Sequence, residues 1–237
     1  APDLVATRAE VLARIEVILA DLARNAGQSE INRDLAPTSV DALIESGALR
    51  LFVPRRYGGY EAGYRTYVEA TIKLASVCGS SAWLSFITNH SDWHTGQMSQ
   101  SVQDTVWANG PQAKVGTPLT PSPGWSAKYV EGGINVSGEW PYASGSTFAK
   151  WSLIAFPKLD ADGKPVDNIL GLVSNDDIEI KDTWRVAGMA ATGSNTIVVN
   201  DTFIPDEHTM LMSDMLANRF PTPHTGESMY QMDVGAV

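Results

Sequence analysis

Cysteine is nearly absent from this sequence: Cys78 stands alone. One thiol excludes an intramolecular disulfide and any metal site built from several cysteines. It sits in the apolar helical stretch LASVCGSSAW, where a small buried hydrophobe is expected rather than a reactive thiol. Basic residues are also short. Lys and Arg number 17 against 27 Asp and Glu, a net charge of −10 with no basic stripe, which argues against nucleic acid as a partner. No apolar run approaches the ~20 residues of a membrane span and no signal-peptide pattern is found, so a cytoplasmic protein without membrane contact is expected. Glycines never stand at i and i+2, so the dinucleotide fingerprint G-x-G-x-x-G is missing, as is the G-K-[ST] of a phosphate loop. No Gly-x-Ser-x-Gly elbow exists, which disfavours a serine hydrolase. His90 and His94 have metal-compatible helical spacing, but the Glu of a zinc peptidase and a third ligand are lacking, and no metal site is expected.

What is there is ordinary globular composition: 43% hydrophobic and 19% charged over 237 residues, enough for one large or two modest domains. The first hundred residues read as helices. Val5, Leu12, Ile15, Leu19 and Leu22 mark one apolar face, with Gly27 as its stop. Pro37–Asp41 opens a second helix, with Thr38 and Asp41 in capping-box spacing and Gly47 as its end. After a Pro/Gly-punctuated loop, helical patterns cover Tyr64 to Lys73, Ser80 to Gly96 and Gln100 to Trp107. At Asn109-Gly110-Pro111 the pattern changes to short β-rich runs. These are Ala113–Gly116, Ala127–Glu131, Ile134–Ser137, Trp151–Phe156, Ile169–Val173, Ile178–Lys181 and Thr196–Ile204. Turns at Gly132-Gly133 and at 160–163 separate them, and the spacing suggests a β-sandwich or barrel of about a hundred residues. The expectation is an α+β chain: an N-terminal all-α domain over 1–109, a small β domain over 110–212, and a linker with the start of a further helical domain over 213–237. With no initiator Met and an end, MYQMDVGAV, that is turning apolar, the chain reads as a fragment whose C-terminal helical bundle is missing.

The stretch Gly138–Trp151, GEWPYASGSTFAKW, carries the strongest chemical signal. Glu139, Trp140, Tyr142 and Trp151 crowd around the small-residue turn Ala143-Ser144-Gly145-Ser146, read as the bend of a hairpin. Aromatic walls, hydroxyls and small residues that let backbone N–H groups approach are what a flat heteroaromatic cofactor needs. An ordinary hairpin with core aromatics would show the same residues.

Four stretches in order, LFVPRRYGG (51–59), GEWPYASGSTFAKW (138–151), DTWRVAGMAATGSN (182–195) and IVVNDTFIP (197–205), resemble the acyl-CoA dehydrogenase superfamily across nearly the whole chain. Within it the chain looks most like the flavin-dependent monooxygenases that accept reduced flavin from a separate reductase. That branch acts on hydroxyphenylacetate, steroid-derived phenols and dibenzothiophene, and includes amine and amino-sugar N-oxygenases. The resemblance implies FMN or FAD as cofactor, with a flavin reductase, O₂ and a small organic molecule as partners, in a homotetramer. It sets Ser144 near flavin N5, with Trp140, Tyr142 and Ala143 beside the ring. Thr117 and Leu119 line the flavin by position in a loop, KVGTPLTPSPG, that lacks the acidic and Ala-Gly-Ser-Asp elements of the dehydrogenases. It also implies a catalytic His on the helix before the β domain, either His90 or His94, with Phe86, Asp92 and Trp93 sharing that wall. Two alternatives stand beside it: a true acyl-CoA dehydrogenase with its Glu in the missing helices, and a flavin-free binding relative of the same fold.

Overall fold

The computed structural model describes residues 3–231; the end of the apolar tail, 232–237, lies outside the described residues. Helix α1 (Leu4–Asn32) starts where the Asp3 carboxylate accepts from the Val5 and Ala6 amides, each at 3.0 Å. Its buried stripe is Thr7, Val11, Ile15, Leu22 and Ser29. Val5, expected on the apolar face, stands roughly a third of a turn from that stripe and is exposed. The expected stop at Gly27 does not occur. The helix runs on to Asn32 and closes at Arg33 in the left-handed conformation, φ 58°. One helical glycine costs only about 1 kcal/mol, and tertiary bonds hold the last turns. Glu30 accepts from the amides of Ala190 at 2.8 Å and Ala191 at 3.2 Å, and from the Ser80 hydroxyl.

Helix α2 (Pro37–Ser46) ends at Gly47, φ 83°, as expected, but its capping box does not form. Pro37 at the first helical position has no N–H to satisfy, and the Thr38 hydroxyl accepts from Asn25 at 3.1 Å instead. Helices α3 (Tyr64–Ala75), α4 (Gly79–Gln97) and α5 (Gln100–Val106) match their patterns to within two residues. α4 is the central one and is buried along most of its length. Its Asn89 side chain accepts from the Leu51 amide at 2.6 Å and donates to Ala48 O at 2.7 Å, which ties the helix to the preceding loop.

Eight strands follow among the described residues: β1 (Val115–Gly116), β2 (Ser126–Val130), β3 (Gly133–Ala143), β4 (Trp151–Leu159), β5 (Pro165–Ser174), β6 (Ile178–Lys181), β7 (Asn195–Pro205) and β8 (Thr209–Leu211). They form two four-stranded sheets, β1-β4-β5-β8 and β2-β3-β7-β6. Ile134, Val136, Trp140, Ile154, Phe156, Ile197 and Val199 pack between them, so the β region is a sandwich. Strand β4 is buried on both faces. Ile154 and Phe156 face the other sheet, while Leu153 and Ala155 join Met98, Val102 and Val106 from α5 and its approach. That double burial explains its unbroken apolar run. A short helix, α6 (Met212–Leu216), follows β8.

Two expectations need correction. The segment between β3 and β4 is not a hairpin, because the two strands belong to different sheets; β3 pairs with β2 and β7, and β4 with β1 and β5. Residues 144–150 are a corner that carries the chain from one sheet to the other. Helix-compatible text after Pro205 includes strand β8, whose three residues are too short to show a period.

Removing the Glu30 carboxylate leaves two amides of the 190–192 turn unpaired. We expect Glu30→Ala to lower stability by about 1–2 kcal/mol, measured by urea unfolding at pH 7. Burial pushes the Glu30 pKa up, but the Ser80 hydroxyl and the two amides outweigh it and hold it below 4.5. The contribution is therefore present above pH 4.5 and fades as the pH falls through the lower folded value. A gap between variant and wild type that widened on acidification would contradict this account.

Candidate functional site

Tyr142 (φ 63°) and Met189 (φ 56°) are non-glycine residues held in the left-handed backbone region, and both line one cavity of about 350 Å³. That size falls within the range of roughly 300–1,000 Å³ common for small-molecule sites. Trp83 and Ile87 of α4 form one wall. Tyr142 comes from the end of β3, Ser144 from the sheet-to-sheet corner, and Trp184, Met189, Thr192 and Ser194 from the segment between β6 and β7. Thr117 closes the cavity from the loop after β1, with its hydroxyl on Ser91 Oγ at 2.7 Å.

The corner has local causes. The pairing of β3 with β7 slips between Trp140 and Ala143, where Pro141 has no N–H for a ladder. Tyr142 is turned outward, and its ring meets Trp184 edge-on at 6.1 Å. Gly145 takes φ 71°, and its N–H donates to Thr192 O at 2.9 Å; a Cβ there would lie 2.8 Å from the Phe148 ring.

A line of hydroxyls runs along the wall. Trp83 Nε1 donates to Ser144 Oγ at 3.1 Å, Ser144 Oγ lies 2.7 Å from Ser194 Oγ, and Ser194 Oγ lies 2.7 Å from Thr192 Oγ1. Thr192 Oγ1 donates to Met189 O at 2.9 Å, and the Trp184 indole donates to the same carbonyl at 3.1 Å. The two indoles of the cavity are thus joined through three hydroxyls and one carbonyl.

Known proteins share this arrangement of chain. The oxygenase subunit HsaA of a flavin-dependent monooxygenase from Rhodococcus jostii (strain RHA1) is 36% identical over 205 residues, 86% of this chain and 53% of that protein. The crystal structure of 3-HSA hydroxylase from Rhodococcus sp. RHA1 superposes with a TM-score of 0.88 at 34% identity, covering 95% of this chain and 58% of the other. XiaF from Streptomyces sp., solved in complex with FADH2 and glycerol, gives a TM-score of 0.83 at 30% identity over 89% of this chain and 53% of XiaF. This chain is a homologue of the flavin-dependent monooxygenase oxygenase subunits. Its fold is the acyl-CoA dehydrogenase-like one that these oxygenases share. No family model matches, and the chain spans about half the length of the curated relatives it matches.

In this oxygenase-subunit homologue, Ser144, Tyr142 and Thr117 line the cavity and the other five expected residues do not. Trp140 is wholly buried between the sheets, with its indole N–H donated to Ala155 O at 2.7 Å, because the inward face of β3 carries it into the sandwich. The aromatic wall is built by Trp83 and Trp184 instead. Ala143 packs into the same sandwich core, and Leu119 is half exposed outside the cavity. His90 and His94 do not line it either, but they continue its wall. Trp83, Ile87, His90 and His94 recur at spacings of four, three and four, one stripe of α4. Rings follow each other along it: Trp83 to Phe86 at 5.8 Å, Phe86 to His90 at 6.3 Å, His90 to His94 at 4.5 Å.

Trp93 shares that wall, its ring meeting His90 edge-on at 5.7 Å and His94 at 5.5 Å. Trp93 is buried with its indole N–H on Met229 O at 3.1 Å. Asp92 is wholly buried and neither oxygen has a hydrogen-bond partner among the described residues. Burial pushes its pKa up to about 7, against the pull of the Lys114 charge. Sequence reasoning missed Trp83, Ile87, Met189 and Thr192. The first two were detectable as the N-terminal extension of the histidine stripe, and the last two lie within a stretch already matched to the family.

Burial, then the neighbouring His90, hold the His94 pKa down to about 3, and burial also lowers that of His90. His94 is therefore neutral across the working pH range. Below the ordinary value of 6.5 the unfolded chain takes up a proton that folded His94 refuses, so this residue costs stability as the pH falls from 6.5 toward 3. In an NMR titration of the histidine ring protons, the His94 signal should stay at its neutral position from pH 8 to about 5. A His94 midpoint near 6.5 would show that the ring is solvated.

Proposed function

We propose that this chain forms part of the oxygenase component of a two-component flavin monooxygenase. Reduced FMN or FAD, delivered by a separate reductase, is held against the cavity walled by Trp83, Ser144 and Trp184. Bound there, reduced flavin supplies the redox chemistry by activating O₂ and passing one oxygen atom to a small organic substrate. The observation that carries the proposal is a hydroxyl, Ser144 Oγ, set at the edge of an apolar aromatic cavity and anchored on two sides by Trp83 and Ser194. The residues present suit a flat ring with one polar edge: indoles for its faces and hydroxyls for its N5 side.

Each residue then has a task. Ser144 Oγ holds N5. Ile87 and Met189 keep water from the ring, which matters because an activated oxygen species is lost when water reaches it. His90 and His94 handle protons next to the substrate. His94 stays neutral there and its Nδ1 has no hydrogen-bond partner among the described residues, so the ring can hydrogen-bond a substrate group without taking on charge. A homotetramer, supported by the family resemblance alone, and a cytoplasmic location complete the proposal.

The test is oxygen uptake. With anaerobically reduced FMN or FAD supplied, the protein consumes O₂; with oxidised flavin alone it does not. Bleaching of bound flavin on addition of an acyl-CoA would instead establish the dehydrogenase alternative. Ser144→Ala should weaken reduced-flavin binding by up to about tenfold, the worth of one hydrogen bond, measured by anaerobic fluorescence titration. Unchanged affinity would remove Ser144 from the site.

A further inference from the structure

The hydroxyl line at the cavity has a direction, and the direction is set at its far end. A carbonyl oxygen cannot donate, so the 2.9 Å contact between Thr192 Oγ1 and Met189 O takes the only hydroxyl hydrogen of Thr192. Thr192 Oγ1 can then only accept from Ser194 at 2.7 Å, which uses the hydrogen of Ser194. Ser194 Oγ in turn can only accept from Ser144 at 2.7 Å, which uses the hydrogen of Ser144. Thr192 is 1% and Ser194 4% exposed, so no solvent is available to turn either hydroxyl round. Ser144 Oγ also accepts the Trp83 indole N–H. What Ser144 has left for the cavity is one lone pair and no hydrogen.

We propose that Thr192 and Ser194 are positioning residues that lock the Ser144 hydroxyl as a hydrogen-bond acceptor, so that the cavity selects flavin whose N5 carries a hydrogen. The proposal rests on the flavin-binding role above and assigns the choice of flavin redox state to these two residues. N5 of reduced flavin bears a hydrogen and pairs with the free lone pair. N5 of oxidised flavin presents a lone pair of its own, and the two lone pairs face each other without a proton between them. A buried polar atom left unpaired in this way costs more than a missing contact. Two-component chemistry needs such a bias: reduced flavin must be captured from a shared pool and oxidised flavin released to the reductase.

The experiment is a pair of titrations on the full chain, oxidised FMN in air and photoreduced FMN without oxygen, for wild type, Ser194→Ala, Thr192→Val and Thr192→Ser. Wild type should bind reduced FMN at least about tenfold more tightly than oxidised FMN. In Ser194→Ala the Ser144 hydrogen loses its acceptor and can turn to oxidised N5. In Thr192→Val the line loses its carbonyl anchor and can reverse. Both variants should bind oxidised FMN more tightly relative to reduced FMN and bring the ratio close to one. Thr192→Ser should restore the ratio, because it restores the hydroxyl. A ratio near one in wild type, or a full preference retained in both Ser194→Ala and Thr192→Val, overturns the proposal while leaving flavin binding intact. Binding of neither redox state overturns the flavin-binding role and the proposal together.

Discussion

The Glu30 carboxylate, reaching from the last turns of α1 onto two amides of the 190–192 turn, is the interaction on which the cavity depends. That turn is where the helical and β regions are clasped. From the β side, Gly145 N–H donates to Thr192 O, and Thr147 beside it reaches Asp34 at the end of α1. From α4, Trp83 arrives through Ser144 and Ser194. Every polar contact that shapes the aromatic wall is therefore at most a few bonds from one short turn. The turn itself has little of its own to hold it, being three residues of 3-10 helix between Met189 and Gly193, both in left-handed conformations. A carboxylate accepting adjacent amides at a helical start is a favourable use of a negative charge. Here it also explains why α1 extends past Gly27, since a shorter helix would not reach.

Strain gathers in the same place. A non-glycine residue in the left-handed region costs about 1–3 kcal/mol and persists only where its surroundings over-determine it. Met189 is held by what its carbonyl receives, the Trp184 indole and the Thr192 hydroxyl and amide. Tyr142 is held by the slipped β3–β7 register on one side and by the Ser144 amide donating to its carbonyl at 2.9 Å on the other. Both residues present side chains to the cavity that regular strands would have pointed elsewhere. Strain at these two residues accordingly reads as a cost accepted for the site.

Much of this was legible in the sequence, and the failures have physical reasons. Helices α3 to α5 and strand β6 could be read because their periods are uninterrupted and their ends punctuated. The Gly138–Trp151 stretch announced a site through composition. What composition could not show was which sheet each strand would join, so the corner read as a hairpin. Trp140 then looked like a wall residue when alternation along β3 sends it into the sandwich. Gly27 looked like a stop because the Glu30 contacts that outweigh it come from residues 160 positions away. The direction of the hydroxyl line depends on the distance from Thr192 Oγ1 to one carbonyl, which no pattern of residue types encodes.

The position of α4 turns these local features into a single geometry. Its outer stripe carries Trp83 and Ile87 into the cavity and His90 and His94 beyond it, so any slide of the helix would move the ring wall and the histidines together. Asn89 pins it to Leu51 and Ala48, and the buried Lys114, just before β1, donates to Leu49 O at 2.6 Å and Pro111 O at 2.9 Å. The same 48–51 loop is thus gripped by α4 on one side and by the entry to the β region on the other. Asp92, buried beside Lys114 without a hydrogen bond of its own, is a costly residue to keep on that inner face. Its charge nevertheless opposes the burial that drives the Lys114 pKa down, and so favours the ammonium that makes those two bonds. A helix so fixed on its inner face holds the side chains of its outer stripe at constant separation from the strained corner.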